Sequence, residues 1–130
     1  MRLVSVYQCD AIPALYDLLL ERTPEQSISH KRMPSLSEHA AFVQSRPYQA
    51  WYMIEDGDYF VGSVYLSKQR EIGIFIFSRF HGQSYGREAV EQMKLLYPGP
   101  MLANINPANE GSIRFFEKLG GRRIQTTYEF

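Results

Sequence analysis

The sequence predicts a mixed α/β domain, a mostly antiparallel central sheet flanked by helices, in the order β-α-α-β-β-β-α-β-α-β. Three observations lead there. Short runs rich in Val, Ile, Tyr and Phe alternate with longer segments of helical period, the pattern of sheet and helix layers sharing one core. Asp56-Gly57 separates two of the short runs and is a hairpin signal, so the middle of the sheet is antiparallel. The helical segments carry their own start and stop residues, from the capping box Ser35-Leu36-Ser37-Glu38 to the terminator Gly120-Gly121. With 130 residues, 45% of them hydrophobic, and no internal repeat, linker or low-complexity stretch, the chain reads as one domain over 1–130 with a core of its own.

The elements follow in order. Leu3 to Tyr7 is a strand by its Val and Tyr content. Ile12 to Glu21 is a helix, with Asp10 near its start and Pro13 in the first turn, where a missing N–H is tolerated. Thr23 to Pro34 is polar and reads as a loop. The capping box opens a second helix whose Leu36, Ala40 and Val43 share one face. Tyr48 to Ile54 and Tyr59 to Leu66 form the hairpin, and Glu71 to Phe77 is a further strand. Ala89, Val90, Met93, Leu96 and Tyr97 lie on one buried helical face, and Pro98-Gly99-Pro100 ends that helix. Met101 to Asn106 is a strand, and Ser112 to Leu119 a helix with Ile113, Phe116 and Leu119 along one stripe. Arg122 to Phe130 is a last strand, whose edge a second copy of the chain could cover as a homodimer.

Composition narrows the function classes. The 14 basic and 14 acidic residues cancel, so bulk charge gives no case for nucleic-acid binding. The single Cys9 excludes an internal disulfide framework and fits a reducing compartment. No signal-like h-region opens the chain and no apolar run is long enough to span a bilayer, so the expected location is the cytoplasm, away from membranes.

The segment FHGQSYGREAVEQM, Phe80 to Met93, places small residues where a helix begins. It is either a tight strand-to-helix turn or an anion cradle. A helix start leaves N–H groups without acceptors and carries partial positive charge, so a small-residue turn before it suits phosphate. A P-loop is excluded because no Gly-Lys-Ser/Thr ends the loop, and the GxGxxG pattern is absent.

Two motifs give the chain a family likeness. HGQSYG resembles the signature Gln or Arg, two residues, Gly, one residue, Gly or Ala of the GCN5-related N-acetyltransferases (the GNAT superfamily), with His81, Ser84 and Gly86 on its positions and only Gly86 matching strictly. NPANEGSIRFFEKLGG resembles the family's second motif through Asn109, Ser112, Phe115, Phe116, Lys118 and Gly120. The resemblance covers nearly the whole chain. It implies acetyl-CoA as acyl donor and no metal. The pyrophosphate would lie on the backbone amides of Gly82, Gln83, Ser84, Tyr85 and Gly86, with the His81 side chain at the signature's first position. The pantetheine arm would run beside Ile76, Phe77 and Ser78, with Asn109, Ser112 and Phe116 on its other side.

The chemistry so implied is acetyl transfer to the primary amine of a small molecule by direct attack in a ternary complex. A general base must take the amine proton. Glu71, opening the fourth strand, is the candidate. Many relatives carry a tyrosine where this chain has Phe116, so the usual acid for the leaving thiolate is missing; Tyr85 and Tyr128 are weaker catalytic candidates, for an acid in its place. The N-terminal half resembles the branch acting on nucleotide-linked amino sugars, which puts Arg22 and His39 on the acceptor, with His30, Trp51 and Tyr52 able to complete a wall for it. The departures at His81, Ser84 and Phe116 also admit a different class, an acyl-CoA-binding sensor or structural subunit without turnover.

Overall fold

The computed structural model describes residues 1–22 and 32–130. Four antiparallel strands form one sheet in sequence order: β1 (Arg2–Ser5), β2 (Ala50–Asp56), β3 (Tyr59–Leu66) and β4 (Ile72–Ile76). Helices α1 (Ile12–Glu21) and α2 (Leu36–Gln44) lie between β1 and β2 in the chain, and α3 (Tyr85–Leu96) and α4 (Glu110–Lys118) follow β4. The β2–β3 hairpin turns through Gly57-Asp58, because Asp56 still pairs with Tyr59. Gly57 takes the positive φ of 59° that the first position of such a two-residue turn requires.

Strand alternation sorts the side chains onto two faces. Trp51, Met53 and Phe77 pack with Leu15 and Leu18 of α1 and Val43 of α2. Ala50, Ile54, Val64, Leu66 and Ile72 pack with Ala89, Val90 and Met93 of α3. The sheet is therefore covered on both sides. The capping box forms as written in the sequence: Ser35 Oγ accepts from Glu38 N–H at 3.1 Å and Glu38 Oε1 from Ser35 N–H at 2.9 Å.

The last two expected strands do not form ladders. The backbone of Met101 to Asn106 pairs at the start of β4 through an isolated parallel bridge between Glu71 and Leu102, where Ile72 N–H donates to Leu102 O at 2.7 Å and Leu102 N–H to Arg70 O at 2.9 Å. Beyond Leu102 the segment leaves β4. Among the described residues no fifth strand lies beside β4, and Arg122 to Phe130 pairs with none of the four strands and runs exposed, Tyr128 at 83% of its full accessibility. Helix α4 is correspondingly only half-buried, lying on the core through Phe115 and Phe116.

Candidate active site

The loop after β4 makes one turn of 3₁₀-helix, Ser78–Phe80, and reaches α3 through Gly82 (φ 79°) and Ser84 (φ 67°). The first bond of α3 is Glu88 N–H to Ser84 O at 3.0 Å. The N–H groups of Tyr85, Gly86 and Arg87 therefore have no acceptor within the helix, and Ser84 does not cap them with its side chain. They point out of the positive end of the helix dipole, a seat for an anion. The left-handed backbone at 84 accounts for the glycine the signature carries there. Serine holds the same conformation at a cost of about 1–2 kcal/mol.

Gly86 has a second neighbour. A Cβ on it would lie 3.1 Å from Phe115 Cε2, so the missing side chain first admits the Phe115 ring from α4 and holds α3 and α4 close together. Tyr85 donates its hydroxyl to Asp56 Oδ2, fastening the helix start to the hairpin end of the sheet; that bond, more than burial, raises the Tyr85 pKa.

Register decides which part of β4 faces outward. Ser67 N–H bonds Glu71 O and Phe77 N–H bonds Val61 O, so the odd-numbered residues of β4 are the ones bonded to β3. The even-numbered residues present their backbone to the other side. Leu102 takes Ile72, and past it Ile74 and Ile76 are left along the open edge where the 101–106 segment diverges. Of the three residues expected beside a pantetheine arm, Ile76 is on this edge, its carbonyl 2.8 Å from His81 Nε2. Phe77 N–H is bonded to Val61 O, and Ser78 N–H donates to Glu21 Oε1 at 2.9 Å. Ile74 was not foreseen; counting register outward from the hairpin would have found it.

On the far side of the divergence, Asn109 caps α4, its Oδ1 accepting from Ser112 N–H at 3.1 Å. Phe116 is half-buried against the core and edge-on to Phe115, with ring centroids 5.0 Å apart.

Glu71 stands at the opposite end of β4 from the cradle. Its Oε2 accepts from Asn104 Nδ2 at 2.5 Å, so the carboxylate ties β4 to the departing segment at the mouth of the divergence. The structure does not bring Glu71 and Tyr85 together: one lies by the Leu102 bridge, the other by Asp56.

Arg22, His39 and Trp51 do come together, around a cavity of about 310 Å³ between α1, α2 and the sheet. Tyr48, Tyr65 and Phe75 complete its aromatic wall, with Tyr48 and Tyr65 stacked at 3.8 Å and the Arg22 guanidinium 4.2 Å above the Phe75 ring. Gly73 makes room for this wall: the Tyr65 ring crosses β4 where a Cβ at 73 would lie 2.1 Å from Tyr65 Cε1. Burial lowers the Arg22 pKa and raises those of Tyr48 and Tyr65. His30 lies outside the described residues. Tyr52 is not part of this wall; on the other face its hydroxyl meets Tyr97 Oη at 2.5 Å, and burial pushes its pKa up to about 12. The signal for Tyr65 and Phe75 lay in strand alternation, which sets them on the Trp51 face.

Among the described residues no group of three or more His, Cys, Asp or Glu side chains could hold a metal, and no helix is long and apolar enough to cross a membrane.

Solved structures share this architecture. A domain from Methanocaldococcus jannaschii DSM 2661 superposes with a TM-score of 0.76 at 23% identity, over 98% of this chain and 90% of the other. An N-acetyltransferase from Staphylococcus aureus Mu50 gives 0.68 at 17% identity, over 92% and 80%. A putative acetyltransferase from Salmonella typhimurium, solved with its cofactor acetyl-CoA, gives 0.67 at 20% identity, over 92% and 76%. No curated protein matches the sequence. The acetyltransferase (GNAT) domain family matches residues 10–122, and the chain belongs to that family.

Proposed function

We propose that the protein is an N-acetyltransferase that moves the acetyl group of acetyl-CoA to a primary amine of a small molecule. The observation that carries this reading, in a chain of this family, is the junction of two backbone features: the open edge of β4 runs directly into the unpaired N–H groups at the start of α3. The edge suits the amide-bearing arm of the donor, and the helix start suits its pyrophosphate. The putative acetyltransferase of similar fold that holds acetyl-CoA supports the same donor here.

In this reading Tyr85, Gly86 and Arg87, with the loop from His81 to Ser84, hold the pyrophosphate. Ile74 and Ile76 bond the arm, and Asn109, Ser112 and Phe116 bound it on the far side. Glu71 accepts the proton of the attacking amine, directly or through water, as a C–N bond forms and the C–S bond breaks. The thiolate of coenzyme A needs no strong acid, since a thiol of pKa about 8.5 leaves readily near neutral pH. Tyr85, whose hydroxyl is engaged by Asp56, positions the helix start and does not supply that proton.

The acceptor sits against the α1–α2 cavity. The gathering of Arg22, His39 and Trp51 with an aromatic wall supports a nucleotide-linked amino sugar as one candidate, a base or sugar face on the rings and its diphosphate outside the cavity. The exposed Ile124, Tyr128 and Phe130 support a second copy of the chain at the C-terminal segment. Release of free thiol from acetyl-CoA across a panel of primary amines tests the activity. Turnover on at least one amine is expected; tight binding of acetyl-CoA with no turnover on any would replace the enzyme by a sensor.

A further inference from the structure

Among the described residues, the α1–α2 cavity holds a cation without a counter-ion. Arg22 lines it, and its Nε is buried with no hydrogen-bond partner. The ion pairs of the described residues do not include it. The neighbouring acid, Glu21, is turned away and bonded to Ser78 through backbone and side chain. The other charges on the cavity wall, Arg32 and Glu38, pair with each other at 3.4 Å. Among the described residues the wall therefore carries one positive charge outside an ion pair, in surroundings that apart from the Arg32–Glu38 pair, His39 and Ser63 are aromatic and aliphatic.

A guanidinium placed so is expensive unless something completes it. Desolvation without a partner destabilises the folded state, and stacking on Phe75 satisfies the face of the guanidinium but not the buried Nε–H. The fork of a guanidinium is matched by a planar carboxylate, which accepts two parallel bonds. The charge argues for one negative group rather than two. The volume, about 310 Å³, stands at the small end of ligand pockets and leaves little room for a whole nucleotide diphosphate beside the stacked tyrosines.

We infer that this cavity recognises a compact amine bearing a single carboxylate and an apolar body, an amino-acid-type acceptor, with the carboxylate on Arg22 and the body against Tyr48, Tyr65 and Trp51. This rests on the acetyltransferase reading for its role but not for its test, which reads binding alone.

The full-length chain, both alone and with excess coenzyme A, is titrated calorimetrically with each of the twenty common amino acids and their carboxamides, and with glucosamine and glucosamine 6-phosphate. The wild type binds at least one apolar amino acid roughly 10–100-fold tighter than its carboxamide, the range for a charge-assisted bond of about 1.5–3 kcal/mol. Arg22→Gln binds that acid and its carboxamide alike, while Arg22→Lys keeps a reduced preference, which separates loss of charge from collapse of the cavity. Equal binding of acid and carboxamide by the wild type overturns the inference, as does a preference that survives in Arg22→Gln. Absence of binding by every amino acid overturns it too, and so does tighter binding of glucosamine 6-phosphate, which would assign the cation to phosphate. Failure of coenzyme A itself to bind would instead remove the acetyltransferase reading.

Discussion

The ring of Phe115 on α4 lies against Gly86 on α3, 3.1 Å from where a Cβ would stand. Two elements far apart in sequence meet at the residue whose N–H faces the proposed phosphate. The contact makes α4 a support for the cradle. Gly86→Val should therefore lower stability by about 1–3 kcal/mol through overpacking. In a Phe115→Ala background the same substitution should cost measurably less, a coupling of about 0.5–3 kcal/mol. Denaturant melts of the four proteins in the cycle read both quantities. Additive losses would mean the ring does not limit residue 86.

Ser84 holds a left-handed backbone at φ 67° with no side-chain cap. Ser84→Gly removes that strain and should stabilise the protein by about 1 kcal/mol, seen as a melting temperature several degrees higher. Affinity for acetyl-CoA should not fall, because the N–H groups at the helix start stay where they are. Weaker binding in the glycine variant would instead assign the Ser84 hydroxyl a direct role toward the ligand.

Glu21 is held below the usual carboxylate range chiefly by the Ser78 N–H, with the Ser78 hydroxyl adding to it. A carboxylate whose folded pKa is lowered stabilises the fold above its unfolded pKa, and that stability is lost as pH falls through the folded one. Wild type should therefore be more stable than Glu21→Gln at neutral pH, with the gap closing on acidification below about pH 4. Thermal melts at a series of pH values give the difference curve. A gap that stays constant with pH would detach Glu21 from this contact.

Glu71→Gln can still accept the Asn104 hydrogen bond through its amide oxygen, so the tie across the mouth of the divergence survives while the base is lost. Turnover should drop roughly 10²–10⁴-fold with acetyl-CoA affinity intact, and part of the loss should return at higher pH as more amine is neutral. An unchanged rate and pH profile would leave Glu71 only as the tie.

The sequence revealed most clearly what local chemistry encodes. The Ser35–Glu38 box, the hairpin at Gly57 and the apolar face of α3 each announce themselves within a few residues and stand where expected. Family likeness puts Arg22 and His39 on the acceptor and aromatic chemistry adds Trp51 to its wall; the three line one cavity. What escaped notice was non-local. Met101 to Asn106 has strand composition, yet its ladder depends on whether it stays beside β4, and it parts after one bridge. The final segment then pairs with none of the four strands. Likewise Gly73 and Gly86 look like flexible points in the chain, but each is a gap that an aromatic ring fills from elsewhere, Tyr65 across the sheet and Phe115 from α4. Which backbone groups face outward was hidden until register was known: Phe77 and Ser78 direct theirs inward or to Glu21, and Ile74 offers its own.

The central claim is that acetyl-CoA lies along the open edge of β4 and on the first turn of α3. Residue-resolved amide hydrogen exchange, with and without acetyl-CoA, tests it most directly. The account predicts slowed exchange at Ile74, Ile76, Tyr85, Gly86 and Arg87, whose N–H groups have no acceptor in the sheet ladder or the helix. Acetyl-CoA that binds while these five amides exchange as before, with protection appearing elsewhere on the surface, would contradict it.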